Sequence, residues 1–222
     1  MKAMIHAAGR GERMRPLTDS LPKALLPVGG QPLIEHHLQS LAAAGIRDIV
    51  INVAWLGQQI MDYLGDGQRY GISIQYSDEG EHALETGGGI ARALPLLGDD
   101  PFWIVNGDVH ARFNFAVPQL AEDTLAHLVL VPNPDHNRRG DFALRDGLVR
   151  NTGEVMYTYS GIAFMRPELF AGNPGGAFPL APLLRVAADR GQLTGELLAA
   201  GWTDVGTPER LQAVDTRYAN SP

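Results

Sequence analysis

Short apolar runs alternate along the chain with segments in which apolar residues recur at helical spacing. Strands are predicted over residues 4–8, 48–53, 72–76, 102–106 and 125–132, and helices over residues 33–44, 57–64 and 88–97. The strand segments are apolar at nearly every position, which is typical of strands buried on both faces of a sheet. The alternation predicts an α/β fold with a mainly parallel sheet and helices on both faces.

The segment 133–163 breaks this alternation. It contains short strand-like runs at 142–144, 148–150 and 157–164, which are joined by turns. We interpret it as a small antiparallel insertion over the edge of the sheet. Helices are predicted again at 180–189 and 208–218, and no repeat or linker divides the chain. Residues 1–222 are therefore predicted to form a single domain.

The composition is that of an ordinary globular domain, with 45% hydrophobic and 19% charged residues. The net charge of −7 argues against a general nucleic-acid-binding protein, which needs a basic surface. The chain has no cysteine, so disulfides, thiolate zinc sites and a cysteine nucleophile are excluded. An acidic protein can still bind anionic substrates when a metal ion supplies the positive charge.

The chain has neither an apolar run of about 18 residues nor a charged and then apolar leader. It enters a polar loop at Gly9, which is too early for a signal peptide. We therefore expect a cytoplasmic protein with no membrane or nucleic-acid partner, as a monomer or a small homo-oligomer.

The first predicted strand leads into a loop with the sequence AAGRGERMRPL at residues 7–17. Gly9 and Gly11 permit a tight backbone path whose N–H groups face an anion, and Arg13 and Arg15 add positive charge. The loop begins at the carboxyl end of a strand, where open α/β sheets bind ligands. Its residue order is neither that of a Walker A loop nor that of a dinucleotide-binding loop. A surface turn with solvated arginines is the alternative.

Lys23 favours the anion-binding interpretation. Only Lys2 and Lys23 are lysines in this chain, and Lys23 lies within the long loop that separates the first strand from the first helix. Such a loop of roughly 20 residues is uncommon in a compact domain unless it binds something. The apolar residues after Lys23 anchor it, so that its ammonium group can reach back to a phosphate.

Two aspartates occur in similar surroundings far apart in the sequence. Asp108 follows Asn106 and Gly107 at the end of the predicted strand 102–106, and Asp204 lies in the run WTDVGT at 202–207. A carboxylate at a strand end is a suitable ligand for a hard cation such as Mg²⁺. For either residue alone, an ordinary aspartate in a turn is the simpler interpretation.

Three glycines follow Glu85 and Thr86 at the start of a predicted helix. Glycine in a helix lowers its stability because the unfolded chain has more conformational freedom. We interpret Gly87 and its neighbours as a place where the backbone approaches a flat ligand. A flexible helix start is the alternative.

The run AAGRGERMRPLT at 7–18, followed by PKALLPV at 22–28, resembles the signature of the sugar-1-phosphate nucleotidyltransferases. The resemblance extends to the C-terminus and implies a Rossmann-like fold of the GT-A type. It implies that the loop holds a nucleoside triphosphate through backbone amides, with Arg15 and Lys23 as catalytic cations on the phosphates. The residues expected to bind the nucleotide in this loop are Ala7, Ala8, Gly9 and Gly11.

The resemblance also implies that Asp108 and Asp204 together bind one Mg²⁺, which in turn binds the triphosphate. It assigns the loop at Gly87 to the base and ribose, with an acidic residue upstream that reads the base edge. Glu79 is the candidate for this residue and Glu81 is the alternative, because a carboxylate accepts the imide N–H of uracil or thymine, or hydrogen bonds from the guanine edge. The residues expected to line the sugar pocket are Asn106, Gly140, Asp141, Ser160 and Gly161.

The chain departs from the family pattern at two places. His6 replaces a leucine on the first strand, and we expect it to pack rather than to act in catalysis. The segment 151–155 lacks the lysine that many relatives place on the phosphate, so this role stays unassigned. His110, His127 and His136 lack metal-ligand spacing and are expected to be surface or packing residues.

The short length and the loops at 84–89 and 202–207 most resemble enzymes that join UTP to N-acetylmuramate 1-phosphate, in the recycling of cell-wall sugar. Arg138 and Arg139 are candidates to contact the anionic lactyl group of that sugar. Guanylyl transfer to mannose 1-phosphate is an alternative, as is thymidylyl or uridylyl transfer to glucose 1-phosphate. A catalytically silent nucleotide-sugar sensor is an alternative from another class of protein.

Overall fold

The computed structural model describes residues 1–219. Its strands are β1 (Lys2–His6), β2 (Pro27–Val28), β3 (Gln31–Pro32), β4 (Asp48–Val53), β5 (Ser73–Asp78), β6 (Phe102–Asn106), β7 (Val109–Ala111), β8 (Ala126–Val131), β9 (Phe142–Arg145), β10 (Leu148–Arg150), β11 (Met156–Met165), β12 (Leu193–Leu197) and β13 (Trp202–Asp204). Its α-helices are α1 (Leu33–Ala43), α2 (Gly57–Leu64), α3 (Glu85–Leu97), α4 (Ala181–Asp189) and α5 (Pro208–Ala219). Short 3₁₀ turns lie at Glu12–Met14, Leu17–Asp19, Lys23–Leu25, Gln68–Tyr70, Asp135–Asn137 and Pro167–Phe170.

One nine-stranded sheet forms the centre of the fold, in the order β5-β4-β1-β6-β11-β8-β12-β10-β9. Strands β5, β4, β1 and β6 pair in parallel, and so do β8 and β12. Strand β11 runs antiparallel between β6 and β8, so β6 and β8 point in the same direction. The carboxyl ends of six strands therefore lie along one edge of the sheet. The predicted mainly parallel α/β sheet is confirmed.

Hydrophobic cores lie on both faces of the sheet. Successive residues of β1 alternate between them, since Ala3 and Ile5 belong to one core and Met4 to the other. Helices α1 and α2 pack on the first face, and α3 and α4 pack on the second. Strands covered on both sides have few polar positions, which explains the apolar runs of the sequence.

The segment 133–163 differs in part from the prediction. Strands β9 and β10 lie at the sheet edge as expected, but β11 is an interior strand of the main sheet. Ile162 and Ala163 on β11 are fully buried, because this strand is covered on both faces and paired on both sides. The prediction of an insertion over the edge is therefore wrong for β11. Strand β12, which the sequence pattern did not reveal, lies between β8 and β10.

Two small antiparallel pairs complete the structure. Strand β7 pairs with β13, and β2 pairs with β3. The β7–β13 pair brings residues near the C-terminus to the carboxyl end of β6. Among residues 1–219, no helix combines the length and apolar character needed to cross a lipid bilayer.

Candidate active site

A cleft of about 500 Å³ opens at the carboxyl ends of β1, β4 and β6. It is lined by His6, Ala7, Ala8, Gly9, Arg10, Gly11, Glu12, Arg13, Lys23, Ala24, Asn52, Glu79, Ala83, Glu85, Thr86, Asn106, Gly107, Asp108 and Gly206. These residues come from distant parts of the sequence, and they meet because parallel strands end at one edge of the sheet. The four residues predicted to bind the nucleotide in the first loop all line this cleft.

Asn52, near the end of β4, connects the first loop to Glu79 on the other side of the cleft. Its side chain is buried, its Oδ1 accepts a hydrogen bond from Ala7 N at 2.8 Å, and its Nδ2 donates to Glu79 Oε1 at 2.7 Å. The second oxygen of Glu79 accepts from Leu84 N at 2.6 Å. Asn52 and Glu79 thus connect the first loop, β4 and the loop before α3 through hydrogen bonds.

The structure separates the two candidates for reading the base. Glu79 is buried and lines the cleft, whereas Glu81 is exposed and lies outside its lining. The Glu79 carboxylate also fixes the local backbone, so its position does not depend on a ligand. Base recognition by Glu79 stays a prediction, and the geometry favours it over Glu81.

Lys23 and Asp108 form an ion pair inside the cleft. Lys23 Nζ lies 2.8 Å from Asp108 Oδ2, and the lysine side chain is only 12% exposed. Burial by itself raises the pKa of Asp108, but the charges of Lys23 and Arg13 lower it more, so the pKa lies below its ordinary value of 3.8. The Asp108 carboxylate is therefore charged at neutral pH, and the ion pair lies in the lining of the cleft.

Asp204 lies beside Asp108 because of the β7–β13 pair. Asp204 is opposite Val109 in this pair, and Val205 N donates to Asp108 O at 2.7 Å. The Asp204 carboxylate forms an ion pair with Arg210 in the first turn of α5. The structure thus brings together the two aspartates predicted to bind a metal, and each one has a cation as its neighbour.

The two arginines of the first loop occupy different surroundings. Arg13 lines the cleft and lies close enough to Asp108 to lower the pKa of its carboxyl group. The Arg15 side chain is 53% exposed, and its Nε pairs with Asp19 Oδ1 at 3.2 Å. Arg15 does not line the cleft, so we replace it with Arg13 as the candidate catalytic arginine.

Gly87 does not approach the cleft. A Cβ at this position would lie 2.5 Å from the Phe178 ring, and a Cβ at Gly89 would lie 2.6 Å from Glu79 Oε1. These glycines allow α3 to pack against the protein itself. Gly87 is not among the residues that line the cleft, and its role in nucleotide binding stays a prediction. From this loop, Glu85 and Thr86 line the cleft instead.

Most residues predicted to bind the sugar have structural partners. Asn106 lines the cleft, and its side chain packs against Gly161. The Asp141 carboxylate accepts hydrogen bonds from Asn137 Nδ2 and Tyr159 N, at 3.1 and 2.8 Å. These contacts hold the chain around a bulge in β11. The roles of Asn106 and Asp141 in sugar binding stay predictions.

The other predicted sugar residues also shape this region. Ser160 is buried, and its carbonyl accepts a hydrogen bond from Trp202 Nε1 at 2.9 Å. Gly140 lies against Asn133 and Tyr157, and neither it nor Ser160 lines the first cleft. The Trp202 contact leads instead to a second cleft.

The second cleft has a volume of about 420 Å³ and lies beyond the carboxyl ends of β8 and β12. It is lined by Val131, Pro132, Pro134, Asp135, His136, Leu198, Ala199, Ala200, Trp202, Thr203, Asp204, Arg210 and Arg217. Arg138 pairs with Asp135 at 3.3 Å with its side chain 80% exposed, and neither Arg138 nor Arg139 belongs to this lining. Arg217 does line it.

Residues 2–140 match the Nucleotidyl transferase family. The chain belongs to this family. It is 52% identical to the N-acetylmuramate alpha-1-phosphate uridylyltransferase of Neisseria meningitidis serogroup B over 96% of both chains. It is 37% identical to the protein of the same name from Caulobacter vibrioides, over 99% of this chain and 97% of the relative. The resemblance to sugar-1-phosphate nucleotidyltransferases is therefore confirmed.

A solved structure supports the fold assignment. A putative glucose-1-phosphate thymidylyltransferase from Bacillus anthracis superposes with a TM-score of 0.83 and 23% identity, covering 100% of this chain and 96% of that one. At this identity the likeness concerns the fold alone. The predicted Rossmann-like fold is confirmed.

The histidines differ in their surroundings. His6 is half-buried beside Asn52 Nδ2, and the loss of hydration there lowers its pKa to about 4, so it is neutral at physiological pH. His110 stacks edge-on against His36, and His127 contacts Thr194 Oγ1 at 3.0 Å. These three positions agree with packing roles, although His6 also lines the first cleft. His136 is exposed, as expected of a surface residue, and it lies beside Arg210 and Asp204.

Several residues of the site were not predicted to have a role, and they include Asn52, Glu85, Arg210, His136 and Arg217. A signal for Asn52 was present, since it is the one polar residue among the apolar positions 49–53 of β4. Arg210 carried no comparable signal, because an arginine in the first turn of a helix is ordinary. Only the placement of α5 beside the β7–β13 pair shows its relation to Asp204.

Proposed function

We propose that this nucleotidyltransferase joins UTP and N-acetylmuramate 1-phosphate to give UDP-N-acetylmuramate and pyrophosphate. The observation that carries the proposal is the 52% identity, over 96% of both chains, to a relative with this activity in its name. A second relative of the same name matches over nearly its whole length. We expect the enzyme to act in the cytoplasm, where UTP is available.

The reaction is the attack of a phosphate oxygen of the sugar phosphate on the α-phosphorus of UTP. A new bond forms between that oxygen and the α-phosphorus, and the bond from the α-phosphorus to the bridging oxygen of the β-phosphate breaks. Pyrophosphate leaves with the bonding electron pair, so the step is balanced without a redox partner. The protein then has to align the two reactants and stabilise negative charge.

Lys23 and Arg13 are placed to stabilise this charge. Both line the first cleft next to the glycine-containing loop, whose backbone N–H groups are suited to phosphate oxygens. Lys23 is held by Asp108, so its ammonium group is positioned before substrate binds. A preorganised cation does not have to be reoriented when charge develops in the transition state.

Asp108 and Asp204 are the residues that would hold Mg²⁺. Both offer carboxylate oxygens, the β7–β13 pair holds their backbones next to each other, and Mg²⁺ takes one or two protein carboxylates together with substrate phosphates. No group of three potential ligand side chains occurs among residues 1–219, so the triphosphate would have to complete the coordination. The donor set therefore fits a cation that arrives with the nucleotide. When bound, Mg²⁺ would neutralise and orient the phosphates.

Glu79 is placed to select the base. A carboxylate has about four lone-pair positions, so the hydrogen bonds from Asn52 and Leu84 leave room for the N3–H of uracil. Cytosine presents an acceptor at this position and would be disfavoured. We propose Arg217, in place of Arg138 and Arg139, as the residue that contacts the lactyl carboxylate, because Arg217 lines the second cleft.

The test is pyrophosphate release with Mg²⁺, each nucleoside triphosphate and a panel of sugar 1-phosphates. We expect the highest kcat/KM for UTP with N-acetylmuramate 1-phosphate. N-acetylglucosamine 1-phosphate lacks only the lactyl group, so the ratio of the two kcat/KM values reports on that group, and Arg217→Gln should reduce the ratio. A preference for GTP with mannose 1-phosphate would refute the proposal, and nucleotide binding without pyrophosphate release would indicate a sensor.

A further inference from the structure

The guanidinium groups of Arg13 and Arg210 both lie close to Gly206. A Cβ built at this glycine would lie 2.7 Å from Arg210 Nη2 and 3.3 Å from Arg13 Nη2, so these two nitrogens are at most about 6 Å apart. The Asp204 carboxylate is also near, since its Oδ2 would lie 3.1 Å from the same Cβ. Two like charges at this separation favour an anion between them.

The nearby carboxylates do not balance these cations. Lys23 is paired with Asp108, and Arg210 is paired with Asp204. Within residues 1–219, Arg13 forms no ion pair of its own, so neither aspartate is taken up by it.

The positions of Arg13 and Arg210 indicate which of the two substrates would lie between them. Arg13 and Gly206 line the first cleft, whereas Arg210 and Asp204 line the second. The reaction requires the phosphate of the sugar substrate to reach the α-phosphorus of the nucleotide. A sugar held in the second cleft would therefore place its phosphate where the two linings meet, between Arg13 and Arg210.

We propose that Arg210 binds the phosphate of the sugar 1-phosphate, with Arg13 on the opposite side. The inference rests on the proposed function and assigns a residue to the attacking phosphate. Asp204 and His136 are positioning residues for Arg210, since both contact its Nη1, with the His136 ring nitrogen at 3.1 Å. Nη2 is thereby directed towards the space above Gly206.

Gly206 gives a way to displace Arg210 without removing its charge. The backbone here is not left-handed, and the atom nearest to an added Cβ is the end of a flexible side chain. Gly206→Ala should therefore fold normally while pushing the Arg210 guanidinium away. Arg210→Gln removes the charge, and Arg210→Lys retains it without the forked geometry that suits phosphate.

The experiment measures kcat and KM for each substrate with the other substrate saturating. Arg210→Gln and Gly206→Ala should lower kcat/KM for N-acetylmuramate 1-phosphate by about tenfold or more, because a charge-assisted hydrogen bond is lost. Arg210→Lys should retain part of the wild-type kcat/KM for N-acetylmuramate 1-phosphate. For the two Arg210 variants, the KM for UTP and the calorimetric Kd of UTP with Mg²⁺ should stay within about twofold of wild type. Gly206→Ala is compared through the sugar phosphate alone, because its Cβ would also lie 3.1 Å from Asp204 Oδ2 and 3.3 Å from Arg13 Nη2.

Arg145→Gln is the matched control, since Arg145 is an exposed arginine on the distant edge strand β9 and should have no effect. Thermal unfolding of each variant shows whether the fold is retained. The inference is overturned if Arg210→Gln leaves kcat/KM for the sugar phosphate within about twofold, or raises the KM for UTP equally.

Failure of the proposed function gives a different result. A wild-type enzyme that releases no pyrophosphate from UTP with N-acetylmuramate 1-phosphate would refute that function. Calorimetric titration of wild type and Arg210→Gln with the sugar 1-phosphate that proves active, or with inorganic phosphate if none does, then decides the role of Arg210. Equal affinity of the two proteins would overturn it, and weaker binding by the variant would support it.

Discussion

Replacing Lys23 with alanine removes the ammonium group that lies 2.8 Å from Asp108 Oδ2. We expect kcat to fall by about two orders of magnitude, because one preorganised cationic donor contributes on the order of 3 kcal/mol to transition-state stabilisation. The loss should exceed any effect on substrate binding, since the ion pair holds Lys23 in place before the phosphates arrive.

The effect of this replacement on stability should be small. Breaking a fully buried ion pair costs about 3–5 kcal/mol. Here the Asp108 side chain is 37% exposed, so water solvates the carboxylate that is left behind. We therefore expect a loss of about 1 kcal/mol in the free energy of unfolding, which lies near the range of surface pairs.

The pH dependence of this loss follows from Asp108. Its native pKa is lowered below 3.8, so the pair stabilises the protein above that value and loses its contribution as the pH falls through the native pKa. The difference in Tm between wild type and Lys23→Ala should therefore shrink in strong acid. The same replacement should raise the pKa of Asp108.

The assay is pyrophosphate release at saturating substrates, with thermal unfolding of the same samples. Lys23→Arg is a useful comparison, because it retains the charge and alters the geometry. A decrease in kcat of less than about threefold for Lys23→Ala would refute the reasoning and leave Lys23 as a structural partner of Asp108.

Further predictions concern the metal, the loop arginines and the strand junction. Asp204→Asn should raise the Mg²⁺ concentration needed for half-maximal activity while the fold is retained, and unchanged activity at limiting Mg²⁺ would exclude Asp204 as a ligand. Arg13→Gln should lower kcat by about tenfold or more, whereas Arg15→Gln should stay within about twofold. The reverse order would show that the exposed Arg15 moves into the cleft during catalysis. Gly107→Ala should destabilise the fold, because a Cβ there would overlap the carbonyl oxygen of His6. An unchanged Tm for this variant would contradict the close packing of β1 against β6.

Sequence pattern was sufficient wherever local chemistry decides the outcome. The strands at 48–53 and 102–106 and the helix at 57–64 have the predicted bounds. Their apolar periodicity follows directly from burial on one or both faces. The first loop and Lys23 were also identified from sequence, because a glycine-containing loop after a strand and a single lysine inside it are local features.

The errors arose where burial or pairing depends on distant segments. The close packing at Gly87 comes from Phe178, a neighbour 91 positions away in the chain, and the sequence did not indicate this contact. Strand β11 was placed at the edge, yet it pairs with both β6 and β8. Neither contact has a local sequence signal.

For this protein, the sequence alone determined the alternating α/β architecture, the glycine-containing first loop and the two candidate aspartates, since each is encoded in a few adjacent residues. The tertiary structure decided which side chains share the site. The direction of a side chain distinguished Arg13 from Arg15, and the placement of α5 beside the β7–β13 pair brought Arg210 to Asp204. These side-chain directions and contacts depend on how separate segments pack, so the pattern of residues within one segment cannot predict them.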